Sequence, residues 1–235
     1  EYTFVDEDTG LLVPVRVHEA RAATLGLLRK SGGFTMPDVK IADAIATQTG
    51  AYIENALLHQ RQLQQTRIQT EMSLARRVQT SLLPPSPQTT DDMDVWGYSE
   101  PASEVGGDFY DFDCDEDKGE LDFVLGDVAG KGISAALLMA MTRTALRVMQ
   151  NAPAQRLVQV NETLYDDLTN VDAFVTLFVA RYNRNTHKLI YANAGHSPVI
   201  YCPIDGAARI LEPDSPPVGV LPMSMASPPS LMSSS

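Results

Sequence analysis

Two segments of the sequence place an aspartate between glycine and an apolar run. The first covers residues 104–112 and carries Asp108, and the second covers residues 121–132 and carries Asp127. Glycine beside each aspartate lets the backbone pass close to another strand or to an ion. Carboxylates at neighbouring strand ends, together with main-chain carbonyls, form the hard oxygen site that Mg²⁺ or Mn²⁺ prefers. On spacing alone, ordinary turn chemistry is the competing interpretation of both segments.

Composition narrows the class of protein. The chain has 235 residues, of which 44% are apolar, so a real core is available. The formal net charge of -12 argues against nucleic acid or an anionic membrane surface as a partner. Cys114 and Cys202 lie far apart, without metal-ligand spacing, which is typical of free thiols in a reducing compartment. We therefore expect a cytoplasmic protein without a membrane span, and, because it begins at Glu1, a piece of a longer one.

The N-terminal part predicts two strands and a long helix. Apolar runs at residues 11–17 and 23–29 predict an antiparallel pair. Thr35 is a plausible helix N-cap with Asp38 at the capping-box position, and proline is then absent after the first turn until residue 84. A long helix with a narrow apolar seam is typical of a dimeric coiled coil, so we expect a homodimer through helix 39–82. The alternative is two separate helices with a break near residues 60–70.

In the C-terminal part, predicted strands are followed by two predicted helices and then by further strands. This order predicts an α+β fold of layered sheet and helices. Strands are predicted at residues 95–98, 107–112, 121–127, 173–183, 188–193 and 198–203, with helices at 134–150 and 154–168. The first helix is apolar, and we predict that Leu137, Leu138, Met141, Ala145 and Val148 share one side. The inward positions predicted for the second helix are Leu157, Val160, Leu164 and Leu168.

Five ordered motifs carry a resemblance to a known family. Between about residues 74 and 222, the chain closely resembles the PPM-type metal-dependent serine/threonine phosphatases of the SpoIIE-like bacterial branch. Residues 11–58 more weakly resemble the last two strands and closing helix of a GAF domain, a class of small-ligand sensors. The phosphatase motifs are Ala75-Arg-Arg-Val-Gln-Thr-Ser-Leu-Leu-Pro84, Val105-Gly-Gly-Asp-Phe-Tyr-Asp-Phe112, Gly126-Asp-Val-Ala-Gly-Lys-Gly-Ile-Ser-Ala-Ala-Leu-Leu-Met139, Phe174-Val-Thr-Leu-Phe-Val-Ala-Arg-Tyr182 and Tyr191-Ala-Asn-Ala-Gly-His-Ser-Pro198.

The resemblance implies a reaction and a set of site residues. In this family two divalent ions, Mn²⁺ or Mg²⁺, activate a water that displaces the alcohol of phosphoserine or phosphothreonine without a covalent intermediate. By motif position, Asp127 bridges both ions, Asp108 ligates one, and the Val128 carbonyl completes part of the shell. Asp108 and Asp127 are thus the implied catalytic residues. The implied substrate is a phosphorylated regulatory protein in signal transduction, such as an anti-sigma-factor antagonist.

Five nearby residues have two interpretations each. Asp111 either supports the metal ligands or lies on the surface. His196 could be a general acid, but its place in an Ala-Gly-His-Ser-Pro turn favours a structural role. Lys131 could contact phosphate, although a solvated side chain is the default. Arg143 and Arg147 lie on the apolar helix, where aliphatic stems that reach solvent are favoured over phosphate ligands.

The predicted organisation has four parts. Residues 1–58 form the C-terminal part of a GAF-like sensory domain, and residues 59–90 form a helical linker. Residues 91–222 form an incomplete PPM-type phosphatase domain, and residues 223–235, rich in Ser, Pro and Met without charge, predict a disordered tail.

One departure from the family pattern leaves two functional interpretations open, one catalytic and one non-catalytic. After residue 222 the family continues to a Thr-Asp-Gly segment and a final Asp-containing segment, and both supply metal carboxylates. This sequence contains neither there. The leading interpretation is a hydrolase, a GAF-regulated protein phosphatase. The alternative is a truncated, non-catalytic phosphatase-like protein that acts by interaction or dimerisation.

Overall fold

The computed structural model describes residues 2–5, 10–18, 20–28, 32–86, 88–89, 93–101, 103–204, 206–222 and 232–234. The chain divides into two compact units, residues 1–71 and residues 72–235. The boundary between them falls inside the linker predicted for residues 59–90. In these ranges no helix is both long enough and apolar enough to cross a membrane.

The N-terminal unit is a three-stranded antiparallel sheet with one helix packed on it. Its strands are β1 (Thr3–Val5), β2 (Gly10–Val17) and β3 (Ala20–Leu28), in the order β1-β2-β3. The pairing of β2 with β3 confirms the predicted antiparallel pair. Alternate residues of β2 are buried against the helix because side chains along a strand point to opposite faces. The resulting core consists of Leu11, Val13, Val15, Val39, Ala42 and Ala46.

The long helix α1 (Met36–Leu82) is continuous over 47 residues. Its start is capped as predicted, since the backbone N and Oγ1 of Thr35 donate to Asp38 Oδ2 at 2.8 and 2.6 Å. The alternative with a break near residues 60–70 is therefore wrong. The helix ends before Pro84, whose ring and missing N–H cannot continue it. The assignment of the N-terminal unit to a GAF-like domain stays a prediction.

The C-terminal unit combines strands and two helices in the α+β order that the sequence predicted. Its elements are β4 (Gln88–Thr89), β5 (Asp94–Val95), β6 (Phe109–Asp115), β7 (Glu120–Val128), α2 (Gly132–Val148), α3 (Pro153–Thr169), β8 (Val175–Asn183), β9 (Lys188–Ala194), β10 (Val199–Tyr201), β11 (Arg209–Leu211) and β12 (Met232–Ser234).

An antiparallel sheet with the order β12-β9-β8-β7-β6 forms the centre of this unit. Helices α2 and α3 share an apolar core with one face of the sheet. On α3, the predicted inward residues are all buried. On α2, the five residues predicted to share one side do so by helical geometry, but this side is not the buried one, because Leu137, Met141 and Val148 are exposed. This helix is apolar on nearly all sides, so periodicity alone does not select a face; the buried residues are Ala135, Met139, Thr142, Arg143 and Leu146.

Two predicted segments differ from the structure. The strand predicted at residues 95–98 is only β5, because the backbone N–H of Gly97 donates to Ser86 Oγ at 2.8 Å instead of to a strand. In the tail predicted to be disordered, residues 232–234 form β12 and pair with β9. Main-chain hydrogen bonds at a sheet edge do not depend on side-chain type, so polar residues can pair there. The rest of that tail, residues 223–231 and 235, lies outside the described residues.

Candidate active site

The carboxyl groups of Asp108 and Asp127 meet at one end of the central sheet. Asp127 is the penultimate residue of β7, and Asp108 immediately precedes β6, whose first residue Phe109 pairs with Gly126. The pKa of Asp127 is raised to about 6, first by burial and then by a hydrogen bond and charge repulsion from the Asp108 carboxyl. The two side chains therefore converge as the sequence suggests, whereas metal binding by them stays a prediction.

Close packing around two glycines brings the carboxylates together. A Cβ atom on Gly126 would lie 2.2 Å from Cε1 of Phe109, so only glycine lets β6 and β7 pair at this point. A Cβ atom on Gly107 would lie 2.6 Å from the Val128 carbonyl oxygen. The Val128 carbonyl thus lies against the residue before Asp108, beside the carboxylate pair.

The donor set fits part of a divalent-ion site. Magnesium in proteins is commonly held by one or two carboxylates, with water and substrate phosphate completing its shell. Asp108 and Asp127 provide two mutually repelling carboxylates, which a cation would stabilise. Within the described ranges, no group of three or more His, Cys, Asp or Glu side chains is arranged to hold a metal. The larger ligand set that two ions require is therefore not present among these residues.

Asp111 and two arginines of α2 form a buried ion-pair cluster. Arg147 Nε lies 2.6 Å from Asp111 Oδ2, and Arg143 Nε lies 3.2 Å from the same oxygen. Burial lowers the pKa of Arg143, whereas the hydrogen bond to Asp111 raises the pKa of the half-exposed Arg147. A surface position for Asp111 is therefore wrong, and Arg143 is buried rather than reaching solvent. The cluster links β6, which begins directly after Asp108, to α2, the first helix after Asp127.

A second cluster was missed by the sequence analysis. Asp122 of β7 accepts from Arg156 Nη1 of α3 at 2.8 Å and from Arg181 Nε of β8 at 2.6 Å. Arg156 also donates to the Leu146 carbonyl at 2.6 Å. The available signal was an aspartate within the apolar run of residues 121–125, because an acid at a helix-facing strand position needs a buried partner.

His196 lies on the β8 side of the carboxylate pair. Its Nδ1 is 2.8 Å from Thr176 Oγ1, and its backbone N–H donates to Asn193 Oδ1 at 2.8 Å. Burial lowers the pKa of His196, and the charge of Asp108 opposes this shift. These bonds hold His196 in the turn, and its role stays a prediction. Lys131 is exposed at the residue before α2.

A large cavity in this unit is separate from the carboxylates. It has a volume of about 490 Å³ and lies over the central sheet on the side of β10 and β11. Its lining is mainly apolar and aromatic, and neither Asp108 nor Asp127 contributes to it. The lining includes Trp96, Tyr98, Tyr110, Phe123, Phe178 and Tyr201.

Comparison with known proteins gives one family match and several relatives. Residues 117–230 match the family model of Stage II sporulation protein E (SpoIIE). The chain is similar to Phosphoserine phosphatase RsbU of Bacillus subtilis (strain 168), with 37% identity over 142 residues, covering 58% of this chain and 41% of that protein. The chain therefore spans less than half the length of that relative.

Two solved structures share the fold. The SiaA-PP2C domain of Pseudomonas aeruginosa matches with a TM-score of 0.55 and 21% identity, over 66% of this chain and 64% of that one. RsbX in complex with magnesium matches with a TM-score of 0.54 and 14% identity, over 63% of this chain and 71% of that one. At these identities the likeness concerns the fold alone. The family match and the RsbU relative, together with this shared fold, support a SpoIIE-like domain of the PPM-type phosphatases in this chain.

Proposed function

We propose that this chain takes part in the metal-dependent hydrolysis of phosphoserine or phosphothreonine on a regulatory protein in signal transduction. The observation that carries the proposal is the convergence of the Asp108 and Asp127 carboxyl groups, which, together with burial as the largest cause, raises the pKa of Asp127 to about 6. The similarity to a phosphoserine phosphatase, RsbU, supports the substrate class. An anti-sigma-factor antagonist is the proposed kind of partner, by family analogy.

Asp108, Asp127 and the Val128 carbonyl are the groups proposed to hold Mn²⁺ or Mg²⁺. When bound, such an ion supplies Lewis-acid stabilisation of the phosphoryl oxygens and an activated water near neutral pH. Asp127 is held by β7, which is paired on both sides with β6 and β8, so its backbone position is fixed. Both carboxylates are exposed, so they are open to a phosphoprotein. Ala129 and Gly130, which follow Val128, add no large side chain there.

Metal-dependent phosphate release tests this proposal directly. With a synthetic phosphoserine peptide and Mn²⁺, we expect release of phosphate at least about tenfold faster than in EDTA. Release should be restored when Mn²⁺ is added back in excess. Equal rates with Mn²⁺ and with EDTA would contradict the mechanism, because no other feature of the proposed site activates water.

A second candidate function is binding of a phosphoprotein without hydrolysis. It is favoured by one observation, that no group of three metal-binding side chains occurs among the described residues. In this case the chain should bind the phosphoserine peptide in Mn²⁺ and release no phosphate from it. Turnover of the peptide by the chain itself excludes this candidate.

We also propose that α1 forms a homodimer. Ile41, Ile45, Tyr52 and Leu63 are large exposed apolar residues that lie along one stripe of the helix, separate from the stripe packed on β2. If α1 of a second copy packed against this stripe, the apolar surface of these four residues would be removed from water.

An Ile45→Glu substitution should weaken this dimer, because it places a charge in the apolar seam. Sedimentation velocity is the measurement, and we expect the dimer dissociation constant to rise at least about tenfold, or 1.4 kcal/mol. Thr47→Glu, exposed on another side of α1, is the matched control and should leave the dimer intact. A wild-type protein that is monomeric at high micromolar concentration contradicts the proposal.

A further inference from the structure

Two further side chains continue the row that Asp108 and Asp127 begin at the end of the sheet. Thr176 of β8 pairs directly with Asp127 of β7, so the two side chains point to the same face of the sheet. His196 follows β9, the next strand, and its Nδ1 lies 2.8 Å from Thr176 Oγ1. The four side chains therefore form a row along one end of the sheet, in which Thr176 and His196 lie next to the Asp127 carboxylate. We propose that His196 contacts the phosphoryl group through Nε2, and that Thr176 is its positioning residue. This inference rests on the proposed function.

The turn that carries His196 is rigid. Asn193 is fully buried, and its Oδ1 accepts the backbone N–H of His196 at 2.8 Å. Gly195 has a φ of 66°, and a Cβ atom there would lie 2.5 Å from Cγ of Pro217. Only glycine fits this conformation and this space. A turn that is fixed at the residue before its histidine and at the histidine N–H orients the imidazole before any ligand arrives, which is the arrangement that positions a group for catalysis.

The two ring nitrogens of His196 have different surroundings. Nδ1 is occupied by the Thr176 hydroxyl, whereas Nε2 has no hydrogen-bond partner among the described residues. If the hydroxyl donates to Nδ1, the neutral ring carries its proton on Nε2 and is a donor there. Burial favours the neutral ring by lowering the pKa of His196. A hydrogen bond from a preorganised donor to an anionic phosphoryl oxygen is strong in such a half-buried site.

A purely structural histidine would use only Nδ1, and a pair of substitutions separates the two roles. The amide of asparagine reaches the position of Nδ1, whereas the longer glutamine reaches the position of Nε2. With the phosphoserine peptide and Mn²⁺, we expect His196→Asn to lower kcat at least about tenfold and His196→Gln to retain more activity. Ser197→Ala, an exposed neighbour in the same turn, should match wild type. A His196→Asn variant as active as wild type overturns the proposal.

The role of Thr176 is tested by binding rather than by turnover. In Mn²⁺, the affinity for inorganic phosphate measured by calorimetry should fall in Thr176→Val and recover in Thr176→Ser, which restores the hydroxyl. The affinity for Mn²⁺ itself should stay unchanged in both, because neither Thr176 nor His196 is a proposed metal ligand. Equal phosphate affinity in wild type and Thr176→Val overturns the positioning role.

The outcomes also separate this inference from the proposed function. If wild type releases no phosphate from the peptide but binds inorganic phosphate, and His196→Asn does not bind it, hydrolysis is excluded and the contact through His196 stands. If wild type hydrolyses the peptide and both His196 variants match it, hydrolysis stands and the contact is excluded. If wild type neither hydrolyses the peptide nor binds phosphate, both are excluded.

Discussion

Replacement of Asp127 by asparagine is expected to reduce Mn²⁺-dependent phosphate release by about 10²–10³-fold, the scale of losing one preorganised electrostatic contact. Asparagine is nearly isosteric with aspartate but carries no charge, so the site loses one of its two converging carboxylates. Binding of Mn²⁺, followed by electron paramagnetic resonance, should weaken in parallel. The measured affinity for Mn²⁺ shows whether activity falls because the ion binds more weakly or for another reason.

The same substitution should not harm the fold, which provides the control for this experiment. In the metal-free protein, burial disfavours the charge of Asp127, and repulsion from the Asp108 carboxylate adds to this cost. Removal of that charge should leave the metal-free variant unfolding at or above the wild-type temperature. A large loss of thermal stability in Asp127→Asn would mean that the carboxylate holds the fold together, and the assignment of Asp127 as a metal ligand would lose its support.

Replacement of Asp111 by alanine is expected to lower the free energy of unfolding of the C-terminal unit by about 3–5 kcal/mol. This is the usual loss when one partner of a buried ion pair is removed. Asp111 and Arg143 are both buried, and the variant leaves the Arg143 guanidinium without its counter-charge. Urea denaturation followed by the fluorescence of Trp96, the single tryptophan of the sequence, reports on this unit.

Asp113→Ala is the matched control for this prediction. Asp113 lies two residues along β6 on the same side of the strand, but it is exposed. Exposed charges contribute little to stability, so we expect a change within about 0.5 kcal/mol. Equal effects of Asp111→Ala and Asp113→Ala would contradict the assignment of the buried cluster. The cluster would then contribute no more than a surface charge.

Local features of the sequence were sufficient to predict most strands of the central sheet and the proximity of Asp108 and Asp127. The strands around Asp127 follow from apolar alternation, and the helix end at Leu82 follows from the prolines after it. Glycine next to Asp108 and Asp127 predicted close backbone approach, which the packing of Gly107 and Gly126 confirms. These features depend on steric rules that act within a few residues, so they can be recognised without knowledge of the fold.

Contacts between distant segments were decided only by the tertiary structure. The sequence did not select the inward face of α2, because apolar residues lie on nearly all sides of this helix and many could pack. The partners of Asp111 are 32 and 36 residues away, and Thr176 is 20 residues from His196. Which side chains meet over such separations depends on strand register and helix rotation, and these are set by packing of the whole unit. The sequence therefore determined the chemical type of each side chain, whereas the tertiary structure determined which side chain it contacts.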